Sequence, residues 1–190
     1  MNWKDFVELV CNELQTGKKI SNFKKKFNAE IELTHEIGFG IRKLFSSNFD
    51  VPYDSSLISE YVVFREGATS ADKKAWTNSK KDKWIYFHEL FFVPDILIRK
   101  APGNPKNIFS VEVKLVKGTV SPQRCITEAL GQSLIYLEKH YPVIAFIGVT
   151  NSVKWGKLET PQITPSVEDQ SIYEEISKAG IKLILRQVGS

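Results

Sequence analysis

Two short apolar segments of this chain carry charged side chains where a buried β-strand would normally have none. Residues 91–98 contain Asp95, and residues 109–116 contain Glu112 and Lys114. A carboxylate is costly to remove from water unless a cation or hydrogen-bond donors meet it. The two segments therefore predict neighbouring strands that bring a cluster of charges to one place in a sheet.

The spacing of these charges predicts how they meet. Glu112 and Lys114 are two residues apart, so in a strand they lie on one face, roughly 6.6 Å apart along it. The turn-rich stretch 101–105 joins the two segments at hairpin distance, which brings Asp95 within reach of that face. Two carboxylates beside an ammonium match the donor set of a divalent-metal site with a basic group next to it.

These strings, Pro94-Asp95 and Glu112-Val113-Lys114, resemble the motif of the PD-(D/E)xK nuclease superfamily. The resemblance covers about residues 30–150. It implies an α/β domain with the restriction-endonuclease-like fold, a mixed β-sheet flanked by helices. The common core of that fold is a helix, a three-stranded meander, a helix and a further strand.

The resemblance also implies roles for the motif residues. Asp95, Glu112 and the backbone carbonyl of Val113 would bind Mg²⁺, for which Mn²⁺ would substitute, and Lys114 would orient or deprotonate the attacking water. Members of the superfamily often add a glutamate from the helix before the sheet. Glu36 fits this role best because it borders the apolar stripe of the helix expected over 30–46, and Glu32 is the second choice.

Hydrophobic periodicity predicts the other elements of a single domain over residues 1–190. Further helices are expected over 3–14, 123–139 and 166–179, and strands over 61–64, 109–116, 143–149 and 181–185. The segment 84–98 is expected to form one long bent strand or two. The strand–helix–strand unit 109–149 predicts two parallel strands. Residues 1–30 and the helix and strand after 150 are elaborations on the core. Residues 151–165 are expected to be a loop.

The stretch 67–83 is predicted to be a lysine-rich surface loop. Lys73, Lys74, Lys80 and Lys81 lie in it, with Asp72 counted as the partner of Lys73. Such a cluster can grip a nucleic-acid backbone, although solvated loop lysines are an equally good interpretation. The net charge of +4 and the isoelectric point near 8.9 permit nucleic-acid binding without requiring it.

The helix expected over 123–139 carries Gln132 and Tyr136 four residues apart, so they share a face. This pair resembles the Gln-x-x-x-Tyr element of RecB-type members, which implies substrate contact. Arg124 and Glu128 extend the same face. A polar flank of an amphipathic helix explains these residues equally well.

Three functions remain open. The first is a Mg²⁺-dependent DNA nuclease, with an endonuclease favoured, in restriction, defence or repair. A homodimer is expected if the substrate is duplex, because two cuts need two sites, and any helicase or methylase would be a separate partner subunit. The second is a catalytically inactive nucleic-acid-binding module of the same fold. The third is a protein–protein adaptor that uses the aromatic segment 84–92.

No apolar run approaches the ~18 residues that a membrane helix needs, and the N-terminal residues lack the order of a signal peptide. Cys11 and Cys125 show no metal-ligand spacing and are expected to be free thiols. Together these features predict a cytoplasmic protein without a membrane partner.

Overall fold

A five-stranded mixed β-sheet lies at the centre of the molecule. The computed structural model describes residues 1–65, 67, 69–104, 106–118, 121–150 and 167–189. The strands of this sheet, in spatial order and numbered along the chain, are β1 (Val62–Phe64), β4 (Ile96–Arg99), β5 (Ile108–Val116), β6 (Val143–Thr150) and β7 (Ile181–Val188). The strands β1, β4 and β5 are antiparallel neighbours, and β5, β6 and β7 are parallel.

Helices cover both faces of the sheet. Its helices are α1 (Trp3–Gln15), α2 (Glu30–Phe49), α3 (Ile58–Tyr61), α4 (Ser70–Asn78), α5 (Lys80–Lys83), α6 (Pro122–Tyr136) and α7 (Val167–Lys178). The larger core packs α1 and α2 on one face, and a smaller core packs α6 and α7 on the other. Alternate residues of β5 therefore enter different layers: Val111 and Val113 contact the first core, and Val116 the second.

Most predicted elements are confirmed, including the parallel pairing of the strands on either side of the helix after residue 121. The predicted loop 151–165 lies outside the described residues. The segment 84–98 forms three strands, because β2 (Ile85–Phe87) and β3 (Leu90–Phe92) make a separate hairpin before β4. The break between β3 and β4 contains Pro94, which cannot donate a ladder hydrogen bond.

The prediction of a surface loop over 67–83 is wrong, because this segment forms α4 and α5. Thr69 caps the N-terminus of α4 with a capping box. Its side chain accepts a hydrogen bond from the N–H of Asp72, and the Asp72 carboxylate accepts one from the N–H of Thr69. Ala75 is buried and anchors the helix on the sheet. The capping box and the burial of Ala75 favour a helix in this segment, although its lysine content is high.

Two glycines let α2 approach its neighbours closely, because neither carries a Cβ atom. A side chain at Gly40 would collide with the backbone carbonyl of Ile20. At Gly38, a Cβ would lie 2.9 Å from the ring of Phe64 on β1. Among the described residues no helix is long and apolar enough to cross a membrane.

A buried ion pair ties α4 to α2. Arg42 contacts Asp72 at 2.5 Å and also donates to the carbonyl of Val62. Burial by itself would raise the pKa of Asp72, but hydrogen bonds from Thr69 and Arg42 outweigh it and hold that pKa below its usual range. Asp72 therefore pairs with Arg42 and not with Lys73, which corrects the sequence-based expectation.

We expect Asp72→Asn to lower the free energy of unfolding by about 3–5 kcal/mol, because it leaves the buried Arg42 charge unpaired. The matched control Lys73→Ala should change stability little, since Lys73 is exposed. Because the folded-state pKa of Asp72 is depressed, its contribution is present at neutral pH and is lost as pH falls below about 4. Urea unfolding at several pH values measures this, and equal midpoints for the two variants would contradict it.

Candidate active site

The motif residues meet where β4 stops covering β5. Ile96 pairs with Val111 in the antiparallel register, so the next position places Asp95 opposite Glu112. On the other side, the backbone N–H of Arg65 donates to the carbonyl of Asp95 at 2.9 Å. Directly opposed residues on neighbouring strands share a face. Asp95 and Glu112 therefore lie side by side on the face that α6 covers.

Carboxylates replace the missing strand along this edge of β5. The strand β4 begins at Ile96, so the N–H groups of Val113 and Leu115 extend beyond the ladder. The N–H of Val113 donates to Asp95 Oδ2 at 2.8 Å, and the N–H of Leu115 donates to Glu30 Oε2 at 3.1 Å. Buried N–H groups need acceptors, and here acidic side chains supply them.

Pro94 leaves an acceptor beside these carboxylates. The register that pairs Ile96 with Val111 brings Pro94 opposite Val113. The N–H and C=O of one strand residue point to the same edge, so the Val113 carbonyl faces Pro94 as its N–H faces Asp95. Proline has no N–H and cannot donate a ladder bond to that carbonyl. The Pro-Asp sequence thus presents a carbonyl and a carboxylate at one point.

Glu112 is the most enclosed acid of the site, with 2% of its surface exposed. Its Oε1 accepts from Lys114 Nζ at 2.6 Å, and its Oε2 lies 3.1 Å from the hydroxyl of Tyr136 on α6. That hydroxyl is also 2.9 Å from the carbonyl of Val93. Tyr136 has a single proton to donate, so it links the helix, the strand connection and the carboxylate in one small network.

Burial dominates the electrostatics of the two acids. Removal from water raises the pKa of Asp95, and the charge of Glu112 raises it further. Burial likewise raises the pKa of Glu112, against the opposing effects of Lys114 and Tyr136. For Lys114, burial would lower the pKa, but the charge of Glu112 and its hydrogen bond outweigh it and the pKa is raised. Lys114 is therefore a firmly held ammonium group.

The helix glutamate that reaches the motif is Glu30, at the start of α2, and not Glu36 or Glu32. Glu30 Oε1 lies 4.0 Å from Lys114 Nζ. Glu36 pairs with Lys25 at 3.6 Å, and Glu32 accepts from the N–H of Asn28. The sequence did contain a signal for Glu30, because helical spacing places it on the buried stripe one turn before Leu33.

Tyr136 lies at the site. Gln132 and Arg124, the other two residues of α6 that were predicted to contact nucleic acid, form no hydrogen bond or ion pair with the motif residues among the described residues. Gln132 is one turn earlier and partly buried, and its Oε1 has no hydrogen-bond partner within the described part of the chain. Arg124 forms an exposed ion pair with Glu128 at 2.8 Å. It is 12 residues before Tyr136, about 18 Å along the helix. Nucleic-acid contact by Gln132 and Arg124 stays a prediction.

The four predicted contact lysines are all exposed, on helices rather than on a loop. Lys73 and Lys74 lie on α4, and Lys80 and Lys81 on α5. Their role in DNA binding stays a prediction. Lys83 differs from them because it is buried over the Trp76 ring, 3.4 Å from its centroid, and burial lowers its pKa to about 8.

Arg65 completes a row of charges across three strands, and the sequence reasoning missed it. It follows β1 directly opposite Asp95, which in turn lies opposite Glu112, so the three side chains share one face. Arg65 is exposed, and its side chain forms no ion pair or hydrogen bond with the described residues. Its charge opposes the rise in the pKa of Tyr136 that burial and Glu112 cause, which places the guanidinium near the network.

A separate concavity lies at the opposite end of the sheet. This cavity of about 550 Å³ is lined by residues that precede or begin β5, β6 and β7, among them Asn107, Tyr141, Pro142, Gly180 and Lys182. It is mostly apolar in character and holds none of the motif residues. The candidate site is therefore defined by its charges and not by the size of a cavity.

Comparison of the chain with protein-family models, with curated proteins and with solved structures gave no match. In the part of the chain that the structure describes, no three His, Cys, Asp or Glu side chains cluster closely enough to hold a metal ion. Any metal at this site would therefore need an oxygen ligand beyond the carboxylates of Asp95 and Glu112.

We expect Asp95→Asn to be more stable than wild type at neutral and higher pH when a chelator is present. Burial and Glu112 raise the pKa of Asp95 to about 7, whereas its unfolded value is about 3.9. The folded state then binds more protons than the unfolded state between these values, so wild-type stability falls as pH rises through that window. Asparagine still accepts from the Val113 N–H but carries no charge.

The free energy of unfolding in urea, measured from pH 4 upward, gives the comparison. The advantage of Asp95→Asn should grow up to about pH 7 and then level off. Glu8→Gln is the matched control, because it neutralises an exposed acid at the opposite end of the sheet. Parallel pH profiles for wild type and Asp95→Asn would contradict the raised pKa of Asp95.

Proposed function

We propose that this protein is a divalent-metal-dependent nuclease of the PD-(D/E)xK type that hydrolyses phosphodiester bonds in DNA. One observation carries the proposal: Asp95 and Glu112 lie opposite each other on adjoining strands, with the Lys114 ammonium 2.6 Å from Glu112. Burial raises the pKa values of both acids, and the charge of Glu112 raises that of Asp95 further, so the two carboxylates destabilise the metal-free fold when both are ionised. Such an arrangement is better explained by binding of a cation than by stability.

The residues present fit a hard divalent cation. Mg²⁺ and Mn²⁺ prefer oxygen ligands. Asp95 and Glu112 would hold the ion, and the Val113 carbonyl, which Pro94 leaves without a ladder donor, would supply the third protein oxygen. When bound, such an ion polarises phosphate oxygens and lowers the pKa of bound water.

The protein's own residues would divide the remaining work. Lys114 would donate a hydrogen bond to a water or an anionic oxygen that enters the site, since Glu112 and Glu30 hold its ammonium there. Tyr136 would fix the orientation of Glu112 through its hydroxyl. Hydrogen-bond partners of this kind orient metal ligands, and their loss commonly lowers metal affinity or activity by roughly 10–100-fold.

Arg65 would contact the phosphate. Its guanidinium is exposed beside Asp95, and the planar group can bind two phosphate oxygens together. An arginine in this place would offset the negative charge that builds on a phosphate during hydrolysis. The row of Arg65, Asp95 and Glu112 would then pair one cationic side chain with two acids that hold a metal.

The decisive assay uses supercoiled, linear duplex and single-stranded DNA, and RNA, with Mg²⁺, Mn²⁺ or chelator. We expect cleavage of DNA only with the metals, and losses of roughly 10³-fold or more in Asp95→Ala, Glu112→Ala and Lys114→Ala, as for removal of direct participants in a reaction. Glu8→Ala, an exposed acid at the opposite end of the sheet, serves as the control and should retain wild-type activity.

A second pair of variants tests the assignment of the helix glutamate. Glu30→Gln should lower the cleavage rate roughly 10-fold or more, because it removes the negative charge that faces Lys114 while its amide oxygen can still accept from the Leu115 N–H, whereas Glu36→Gln should have no effect. Nucleic-acid binding without cleavage under every metal condition would favour the alternative, an inactive nucleic-acid-binding module. A product cut in both strands, together with a dimer in solution, would support the expected homodimer.

We expect Arg65→Ala to lower kcat by roughly 10²-fold while DNA affinity changes much less, because the group acts on charge that develops during the reaction. Arg65→Lys should recover part of the rate, since it restores charge without the planar fork. Lys100→Ala, at the other end of β4, is the control for loss of an exposed cation. Single-turnover kinetics separates the two effects, and a loss confined to affinity would make Arg65 a binding contact only.

A further inference from the structure

The hairpin of β2 and β3 exposes large apolar side chains that the proposed chemistry does not use. Tyr86, Phe87, Leu90 and Phe91 are each more than half exposed, from 51% to 62%. The turn residues His88 and Glu89 have φ values of 47° and 63°, as a two-residue type I′ turn requires. The hairpin is thus a preformed structural element, and it displays side chains that a soluble protein normally keeps from water.

The two faces of this hairpin have different surroundings. At its base, Ile85 and Phe92 pack against Tyr136 and Val143, which fixes the hairpin to α6 and the sheet. On the other face, Tyr86 and Phe91 pair across the strands with ring centroids 5.0 Å apart. Trp84 continues this row, with its ring 4.9 Å from that of Phe91. We call Trp84, Phe91 and Tyr86 the ring ladder.

Positive charge flanks one end of the ring ladder. Lys80 Nζ lies 5.1 Å from the centroid of the Trp84 ring, and Lys81 is exposed next to it. Lys139 reaches the same place by donating to the backbone carbonyl of Trp84 at 2.6 Å. Asp82, the acid within this lysine segment, is paired with Arg99. Within the hairpin itself, residues 85–92, the one acidic residue is Glu89, in the turn.

The base of the hairpin is joined to the candidate active site. Val93 follows β3, and its carbonyl lies 2.9 Å from the Tyr136 hydroxyl that contacts Glu112. Asp95 is two residues further on and is the fourth residue after Phe91, which corresponds to at most about 14 Å of chain. A strand bound along the ring ladder would therefore be held within a few nucleotides of the motif.

We infer that the ring ladder is a stacking platform for unpaired bases, and that the substrate is single-stranded DNA or the single-stranded arm of a junction. Every base has a flat face that stacks on aromatic rings without regard to sequence, and Lys80, Lys81 and Lys139 would neutralise the adjoining phosphates. This inference rests on the proposed function for its choice of substrate. An anionic membrane surface or a second copy of the chain would use the same aromatic and basic side chains, so binding to each is an outcome of the test.

The test compares the contribution of the aromatic rings to binding with that of apolar side-chain size. Binding is measured in a buffer with chelator, so that no cleavage takes place. The double variant Tyr86→Leu with Phe91→Leu keeps apolar area but removes two ring faces, and Tyr86→Phe with Phe91→Tyr keeps both rings. Fluorescence anisotropy with labelled oligothymidylate should show the leucine variant binding roughly 10-fold or more weakly and the ring-exchange variant binding like wild type. Thermal unfolding checks the fold of both, and the single leucine variants replace the pair if it does not fold.

Three further ligands separate stacking from other contacts. An abasic strand has the same phosphates without bases, so wild type should bind it more weakly than oligothymidylate, and the leucine variant should bind it as wild type does. Matched duplex DNA should also bind more weakly to wild type. Leu134→Ala removes an equally exposed apolar side chain from α6 and should leave all affinities unchanged.

Equal affinity of wild type and the leucine variant for oligothymidylate would overturn the inference. A loss that is as large for the abasic strand would instead reveal a phosphate contact, and a loss of binding to anionic lipid vesicles or of self-association would assign the surface to those partners. Binding with chelator is measured on the unaltered motif, and cleavage is measured separately with Mg²⁺ or Mn²⁺. Failure of the nuclease proposal and failure of this one are therefore measured separately.

Discussion

The late start of strand β4, at Ile96, is the constraint on which the rest of the site depends. Because Pro94 cannot extend the ladder, the edge of β5 beyond Val111 has no neighbouring strand. Its N–H groups still need acceptors, and the carboxylates of Asp95 and Glu30 provide them. A backbone requirement of the sheet thus holds two acids at fixed positions. The same interruption leaves the Val113 carbonyl free of a ladder donor.

The electrostatics follow from this geometry and from the helices that cover it. Tyr136 of α6 closes the site over Glu112, and this burial raises the pKa values of both acids. Lys114 offsets part of the charge through its contact with Glu112. The fold therefore maintains an unfavourable arrangement of charges. The exposed Arg65 and the aromatic hairpin of β2 and β3 lie next to it. Unfavourable features that a structure holds in place are typical of functional sites.

Short-range patterns were sufficient to predict much of this molecule. The period of two in β5 places Glu112 and Lys114 on one face, and the turn before it brings Asp95 alongside. Helical periodicity located α1, α2, α6 and α7 because each buries one face on the sheet. The interpretation of 67–83 as a loop was wrong, since composition was given more weight than the capping box at Thr69 and the buried Ala75.

Contacts between residues distant in the chain required the folded structure. Glu30 and Leu115 are 85 residues apart, and no local pattern relates them, so the helix glutamate was assigned to Glu36 instead. Arg65 joins the site only because β1 pairs with β4 in one register, and the hairpin joins it through Tyr136. Local propensities and periodicities are properties of neighbouring residues and can be read along the chain. The partners of a buried charge depend on strand register and helix packing, which the tertiary structure alone decides.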